Sequence, residues 1–272
     1  MKRRLKTYLP FVNAGMQEVA TYRLNWFFYM LGNTLTCIVS YFIWKAVYAS
    51  NGGGSVSGFD FPQMIVYLVL VYLTNTMIAS DASYVIGEEV RDGAISMRML
   101  KPVSYNATFL FQEIGNKLFT EFILAVPLIF AVEVIRAAFS GAVEFDFLRF
   151  LLFLFSVATA YLINFFLNIS FGFVAFATKN LWGVNLVKNA IIGFLSGAII
   201  PLSFLPDPLE QVFLLLPFAS LNYTPVMIYM GKYSGLTLLY YLGMQIFWML
   251  AFWGLSKLLW KVVSRHLSVQ GG

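Results

Sequence analysis

The chain has little cysteine, histidine or charge, and each shortage excludes a class of function. One Cys and one His among 272 residues exclude an internal disulfide and a Cys/His metal cluster by count. Cys37 lies in an apolar run and is interpreted as a small buried hydrophobe. His266 lies near the C-terminus, far from any membrane-embedded Ser with a carboxylate. The sequence therefore predicts no catalytic residue and no metal site.

A nucleotide-binding motif is also missing. A P-loop requires G-x-x-x-x-G-K-[ST] so that backbone N–H groups can hold phosphate. The nearest candidate, Gly231-Lys232-Tyr233, lacks the upstream Gly and the hydroxyl residue after Lys. The loops between apolar runs are too short for an ATPase domain. We therefore predict that the chain is not an enzyme and binds no cofactor itself, and that a separate chain must supply the energy if this protein does energy-dependent work.

Apolar sequence, by contrast, is abundant. Apolar residues make up 60% of the chain, charged residues 11%, and the mean hydropathy is +0.76. Soluble domains have roughly 45–50% apolar and about 25% charged residues, so this composition predicts a polytopic membrane protein. The N-terminal MKRRLK is similar to the basic region of a signal peptide. However, the apolar run that follows is too long and has no cleavage site, so it is interpreted as a retained first span.

Six apolar runs meet the length of roughly 20 residues that a membrane-spanning helix needs. The predicted fold is all-α, a polytopic membrane protein with six transmembrane helices over residues 26–260, an N-terminal segment 1–25 and a tail 261–272. The runs lie near 26–48, 63–84, 109–135, 149–177, 184–204 and 236–259.

Basic residues are distributed unevenly between these runs. Six spans put both termini on one side, and thirteen of the 18 Lys and Arg residues fall on that side. The positive-inside rule then places both termini in the cytoplasm of a cell-membrane protein. The net charge of +5 follows from this topology and from contact with anionic lipid, without a nucleic-acid partner. The thirteen are Lys2, Arg3, Arg4, Lys6, Arg23, Arg91, Arg98, Lys101, Lys179, Lys188, Lys257, Lys261 and Arg265.

The N-terminal segment has its own pattern. Over residues 5–22, apolar side chains recur at three- and four-residue spacing beside basic ones, which predicts an amphipathic helix in the inner headgroup layer. Pro10 would bend this helix or delay its start. The alternative is a frayed tail.

The most informative charged stretch lies between the second and third runs, at residues 88–102, EEVRDGAISMRMLKP. Gly87 and Gly93 are expected to interrupt helical continuity there. A short amphipathic element of this kind can insert apolar side chains into a groove on a partner, while its charges set the register. The alternative is a solvated loop that only connects two helices. The residues assigned to the partner contact are Glu88, Glu89, Arg91, Asp92, Gly93, Ile95, Met97, Leu100 and Pro102.

Residues 89–102 resemble the motif E-R-x-x-G-T-(aliphatic)-x-x-L-L-x-x-P of ABC-2-type exporter permeases, with Ala94 and Met99 where Thr and Leu are common. Residues 200–232 contain five prolines around a short apolar run, at the position where this family has a re-entrant helical pair on the outer side. The resemblance implies such a re-entrant segment over 204–232 and a coupling segment over 87–103. It also implies two partners: a second permease copy or paralogue, and cytoplasmic ATP-binding subunits.

Charged residues at the start of the third run have two interpretations. Glu113, Lys117 and Glu121 are spaced four residues apart, and the order of Glu before Lys favours an intrahelical pair. They would brace the coupling segment from near the headgroups. The functional alternative is a proton or substrate site.

Two further patterns lie in the fourth and fifth runs. Tyr161, Asn164 and Asn168 share a helical face and would line a translocation pathway or hydrogen-bond neighbouring helices. Gly193 and Gly197 form G-x-x-x-G, which would allow close helix approach and a dimer contact.

The leading hypothesis is a permease subunit of an ATP-driven exporter whose cargo is amphipathic or apolar, such as a drug, lipid or peptide. One alternative is an ion- or proton-coupled secondary carrier, which interrupted helices or midplane ionisable groups would indicate. The other is a membrane immunity or scaffold protein that transports nothing.

Overall fold

The computed structural model describes residues 2–100, 103–140, 145–178 and 180–266, which form helices and no β-strand. The predicted all-α class is confirmed for this part of the chain. The helices are α1 Lys2–Thr21, α2 Arg23–Ser50, α3 Phe61–Ile78, α4 Ala82–Arg91, α5 Ile95–Met99, α6 Tyr105–Ser140, α7 Phe147–Gly172, α8 Ala175–Thr178, α9 Trp182–Leu195, α10 Asp207–Leu215, α11 Tyr223–Tyr229 and α12 Gly235–His266, with a 3₁₀ turn at Leu202–Phe204.

Four helical segments are long and apolar enough to cross a membrane. They are Arg23–Ser50, Phe61–Arg91, Phe147–Thr178 and Gly235–Arg265. A fifth candidate is α6, which bends by 56° between Tyr105–Leu118 and Ile123–Phe139. Pro127 lies in the second half of α6 and has no N–H to donate one turn back, which is a common cause of such kinks.

The predicted fifth span, residues 184–204, is not one long helix. Helix α9 has 14 residues, or about 21 Å at 1.5 Å per residue, which is shorter than the hydrocarbon thickness of about 30 Å. Gly197 follows α9 with a φ of +79°, a conformation that glycine adopts freely and that ends a helix. The described residues thus give four spans, or five with α6, and a six-span count is not confirmed.

Helix α7 lies at the centre of the bundle and packs against α3, α4, α11 and α12. Its N-terminus is capped by Asp146, whose carboxylate accepts hydrogen bonds from the backbone N–H groups of Leu148 and Arg149. Half of this span is buried, whereas Tyr48 is the one buried residue of α2. Helix α2 is nevertheless apolar enough to cross a membrane, so it presents its apolar side chains to lipid or to another protein.

Helix α1 packs along α6 through facing glycines. A Cβ built on Gly15 would lie 2.1 Å from the carbonyl oxygen of Gln112, and one on Gly115 would lie 2.1 Å from that of Val12. The two backbones are therefore in direct contact, which only glycine at both positions allows. The predicted amphipathic helix is present and continues through Pro10, and this contact is incompatible with a frayed tail.

Helix ends meet in two groups. At one end, the Ser104 N–H donates to the Tyr8 hydroxyl (3.2 Å), and the rings of Tyr105 and Trp260 stack at 4.3 Å. At the other, Lys232 Nζ donates to the Gly58 carbonyl at 3.3 Å. Residues 103–105 and 51–60 therefore lie at opposite ends of the bundle.

Two short helices occupy the segment predicted to be re-entrant, residues 204–232. Helix α10 begins after Pro206 and has no buried residue, whereas every residue of α11 is buried, against α7 and α3. The segment therefore combines one surface helix with one helix inside the protein.

Candidate functional site

The candidate coupling segment contains the end of α4, a tight turn and the short helix α5. Helix α4 ends at Arg91, and Gly93 follows with a φ of +72°, a value that residues with a Cβ rarely adopt. The interruption predicted at Gly93 is therefore present. The one predicted at Gly87 is wrong: α4 continues through it, because its missing side chain makes room for Leu181, which a Cβ would approach to 3.2 Å.

The side chains on one face of α5 contact other parts of the same chain. Ile95 is buried, and Arg98 forms an ion pair with Glu89 of α4. The guanidinium of Arg98 also lies 4.0 Å from the centre of the Phe109 ring and donates to Thr108 Oγ1 at 3.2 Å. Of the residues assigned to a partner, Glu89 and Ile95 thus make contacts within the chain.

The opposite face of the turn is open. Met97 is 70% exposed and Leu100 79% exposed, and Glu88, Arg91 and Asp92 are exposed beside them. Adjacent large apolar side chains at a polar helix end are typical of a protein-interaction surface. Pro102, also assigned to this contact, lies outside the described residues.

The second predicted span is interrupted between α3 and α4, shortly before this segment in the chain. Helix α3 ends at Ile78 and α4 begins at Ala82, and a break inside an apolar segment frees backbone groups that need new partners. Side chains from two other helices supply them. Asn164 Nδ2 of α7 donates to the Ile78 carbonyl at 2.8 Å, and Lys117 Nζ of α6 donates to the Thr76 carbonyl at 3.2 Å.

Glu113 of α6 completes this arrangement from the other side. Its Oε1 accepts from Ser80 Oγ (2.9 Å) and from the backbone N–H of Asp81 (3.2 Å), and its Oε2 accepts from the Tyr161 hydroxyl (3.0 Å). The predicted pair with Lys117 does not form. Among the described ion pairs, Lys117 is matched with Glu121 at 3.9 Å, because Glu113 turns towards the break instead.

A second buried ionic group, which the sequence analysis misplaced, lies on α9. Lys188 was counted among the cytoplasmic basic residues, but it is 4% exposed. Its Nζ lies 2.5 Å from Asn168 Oδ1 and 3.0 Å from Ser83 Oγ, and Ser83 Oγ lies 2.8 Å from Asn185 Oδ1. Asp81 attracts it electrostatically, but Lys188 has no carboxylate at ion-pair distance in the described chain. The N-x-x-K spacing of Asn185 and Lys188, which puts both on one face of an apolar helix, was the available signal.

Comparison with known protein families shows which family the chain belongs to. Residues 34–271 match the family described as ABC-2 family transporter protein. The chain belongs to the ABC-2 transporter family. The matched region includes the candidate coupling segment and the broken span, and it confirms the resemblance stated from the sequence. This ABC-2 protein is thus a membrane component of a transport permease. A comparison with curated proteins found no match.

The three α7 residues predicted to line a pathway in this ABC-2 protein all make contacts at or beside the broken span. Tyr161 contacts Glu113, Asn164 contacts the end of α3, and Asn168 contacts Lys188. Asn168 Nδ2 also donates to Asn164 Oδ1 at 3.0 Å, which links the row internally. Of the two interpretations, hydrogen bonding between helices is the one these contacts show. A role in lining a pathway stays a prediction.

The two glycines assigned to a dimer contact do not share a helical face. Gly193 lies in α9, where an added Cβ would meet only Ile199 at 3.8 Å. Gly197 lies beyond the end of α9, and its carbonyl accepts a 2.6 Å hydrogen bond from the Tyr67 hydroxyl. The G-x-x-x-G spacing therefore includes a helix end and does not form the continuous groove that such a motif provides.

Proposed function

We propose that this chain is the permease subunit of an ATP-driven exporter. It dimerises with a second copy or a paralogue and binds separate cytoplasmic ATP-binding subunits, which hold the ATP and Mg²⁺. Its cargo is amphipathic or apolar, such as a drug, a lipid or a peptide. The protein lies in the cell membrane with both termini in the cytoplasm.

The observation that supports this most is the two-sided character of α5. Its outer side chains, Met97 and Leu100, are exposed at the end of the bundle rich in basic residues. Its inner side chains, Ile95 and Arg98, hold the turn to α4 and α6. A subunit that binds the outer face would therefore move α5 together with α4, and not a flexible loop alone.

The broken span gives such a displacement a place to act. Helix α4 joins α5 to the residues 79–81, where the α-helical hydrogen bonds of the span are interrupted. Short non-helical joints absorb changes of backbone dihedral angle at low cost. The hydrogen bonds from Asn164, Lys117 and Glu113 define one arrangement of this joint, and ATP binding would favour another.

Exposed apolar faces of two helices support the proposed dimer with a second permease copy. Leu24, Phe28 and Phe42 of α2 are more than half exposed, as are Trp182 and Val187 of α9. These helices belong to the first and fifth predicted spans, which this family is thought to use for dimer contacts. The fully buried α11 likewise fits a re-entrant element, since a helix that does not cross the membrane is tolerated at membrane depth where protein covers it.

One observation favours a second candidate, an ion- or proton-coupled carrier. Glu113 and Lys188 are ionisable groups beside a broken helix within the bundle, and carriers use such groups for ion or proton binding. The two candidates differ in their energy source. If the chain is a carrier, reconstituted vesicles that contain this chain alone would accumulate solute under an ion gradient. If the chain is an ATP-driven permease, they would not.

The coupling face, Met97 and Leu100, is tested by co-purification with a candidate cytoplasmic ATP-binding subunit. Replacing Met97 and Leu100 together by Ser removes apolar area that lies at the surface, so the fold should be unchanged. We expect affinity for the ATPase to fall by at least about tenfold, a difference of about 1.4 kcal/mol. Leu236→Ser is the matched control, because Leu236 is 84% exposed on α12, which begins at the opposite end of the bundle.

Two quantities are measured for the double variant and the control: the binding constant for the ATP-binding subunit and ATP-dependent transport in vesicles. Loss of both in the double variant, with the control unchanged, supports the coupling face. Unchanged binding in the double variant would exclude α5 as the contact.

A further inference from the structure

A cavity of about 530 Å³ lies beside the broken span, between α1, α2 and α6. We call it the α1–α6 cavity. Its walls come from the end of α1, the start of α2, the break at residues 79–81 and the first half of α6. Its volume exceeds that of a few ordered waters, each of which takes about 30 Å³ in the liquid, so it has room for an organic molecule.

The lining of this cavity is acidic. Four carboxyl groups face it, and one amine, that of Lys117. Lys117 forms an ion pair with one of the four, Glu121, so carboxyl groups outnumber amines in the lining. Acidic residues in a low-dielectric wall attract cations and disfavour anions. The four are Glu18, Asp81, Glu113 and Glu121.

Polar atoms in the same lining lack partners. Glu121 Oε2 and Asn116 Oδ1 are buried acceptors, and Trp26 Nε1 is a buried donor, and none has a hydrogen bond in the described part of the chain. Buried polar atoms in folded proteins are almost always bonded to protein, water or ligand. Two of these three atoms require a donor, which an ammonium or another N–H group supplies.

Aromatic side chains form one part of the wall. Tyr22, Trp26 and Tyr29 all come from the start of α2, and Tyr22 and Tyr29 are more than half exposed. Their ring faces attract organic cations and their edges cover apolar groups. A bare metal ion fits poorly, because the described residues contain no group of three ligating side chains close enough to hold one.

We propose that the α1–α6 cavity binds a lipophilic organic cation. Its charged centre lies between Glu121 and the ring of Trp26, with its apolar groups against Tyr22 and Tyr29. This is a statement about binding by the permease alone, and it does not rest on ATP-driven export or on the coupling face.

The test uses two probes of nearly equal size and shape with opposite charge, tetraphenylphosphonium and tetraphenylborate. Each is measured by equilibrium dialysis against the full chain in detergent micelles, with empty micelles subtracted. We expect the cation to bind at least about tenfold more tightly than the anion, which corresponds to a decade in Kd. Equal binding of the two probes would overturn the proposal.

Three variants locate the site. Glu121→Gln removes one charge with little change of shape and should weaken cation binding at least about fivefold, whereas Asn116→Asp adds a charge and should tighten it by a similar factor. Glu133→Gln is the control, since Glu133 is held by Arg136 and Tyr229 away from this cavity. Asn116→Asp keeps the test decisive if Glu121→Gln folds poorly. An affinity for the cation that does not change in Asn116→Asp, or that changes as much in Glu133→Gln, would refute the assignment.

Discussion

Glu113 and Lys188 are two ionisable groups at the ends of one row of polar side chains on α7, and they are held in opposite ways. Glu113 accepts three hydrogen bonds, from Ser80, Asp81 and Tyr161. Lys188 donates to the neutral oxygens of Ser83 and Asn168. The carboxylate is saturated with donors, whereas the ammonium has no carboxylate at ion-pair distance in the described chain.

This difference separates a structural charge from one that the fold does not require. Removing the acceptor at Glu113 would leave three donors unsatisfied beside the break, and each such group costs free energy. A buried ammonium without an anion is itself unfavourable, and apolar replacements of buried charges are often neutral or stabilising. We therefore expect stability to depend on Glu113 and not on the charge of Lys188.

The largest expected effect is at Glu113. Glu113→Ala should lower the free energy of unfolding by about 3 kcal/mol or more, since Ser80, Tyr161 and the Asp81 N–H all lose their acceptor. Unfolding in mixed detergent micelles measures this. Glu210→Ala is the control, on the surface helix α10. A loss below about 1 kcal/mol would mean that the break does not depend on this carboxylate.

The next effect tests whether the position of α6, which presents Glu113, is set by α1. Gly115→Ala places a methyl group against the Val12 carbonyl and should cost about 2 kcal/mol, because the two backbones must separate. Gly32→Ala, where an added Cβ meets nothing within 4 Å, should be neutral or slightly stabilising. Equal stability of both variants in the same unfolding assay would show that α1 can leave α6 freely.

A smaller effect is expected midway along the row. Asn164→Ala removes the hydrogen bond to the Ile78 carbonyl and should cost about 1 kcal/mol. Amide hydrogen exchange at residues 79–82 should become faster, because the break loses one of its side-chain partners. Asn189→Ala, which removes an exposed bond to Tyr84, should leave exchange there unchanged. Unaltered exchange in Asn164→Ala would contradict a role in holding the break.

The smallest effect on stability is expected at Lys188. In Lys188→Met the lost hydrogen bonds oppose the removed desolvation cost, so the free energy of unfolding should change by less than about 1 kcal/mol. A loss of stability above about 2 kcal/mol would instead make Lys188 a structural charge like Glu113.

The turn at residues 92–94 was predictable because its signals are local. Gly93 interrupts the helix with a positive φ, and the charges around it exclude the membrane interior. Which side chains face outward was not predictable. In a five-residue helix the periodicity cannot separate Ile95, which is buried, from Met97, which is exposed.

The broken span was not predicted, and its sequence explains why. Ala79, Ser80 and Asp81 include neither Gly nor Pro, so the run 63–84 was interpreted as continuous. The break is satisfied by Asn164, Lys117 and Glu113, which are distant in sequence. Lys188 was misplaced for a related reason, since its partners lie on α4 and α7.

Composition and local pattern alone determined that this is an all-helical membrane protein with a charged turn between its second and third apolar runs. Those properties depend on total apolar content and on the conformational freedom of single residues, both of which can be counted along the chain. Tertiary structure alone decided where the second span breaks, how many helices are long enough to cross, and which polar side chains satisfy one another. In a low-dielectric interior each buried polar group must find a partner, and that partner is chosen by packing between helices far apart in sequence.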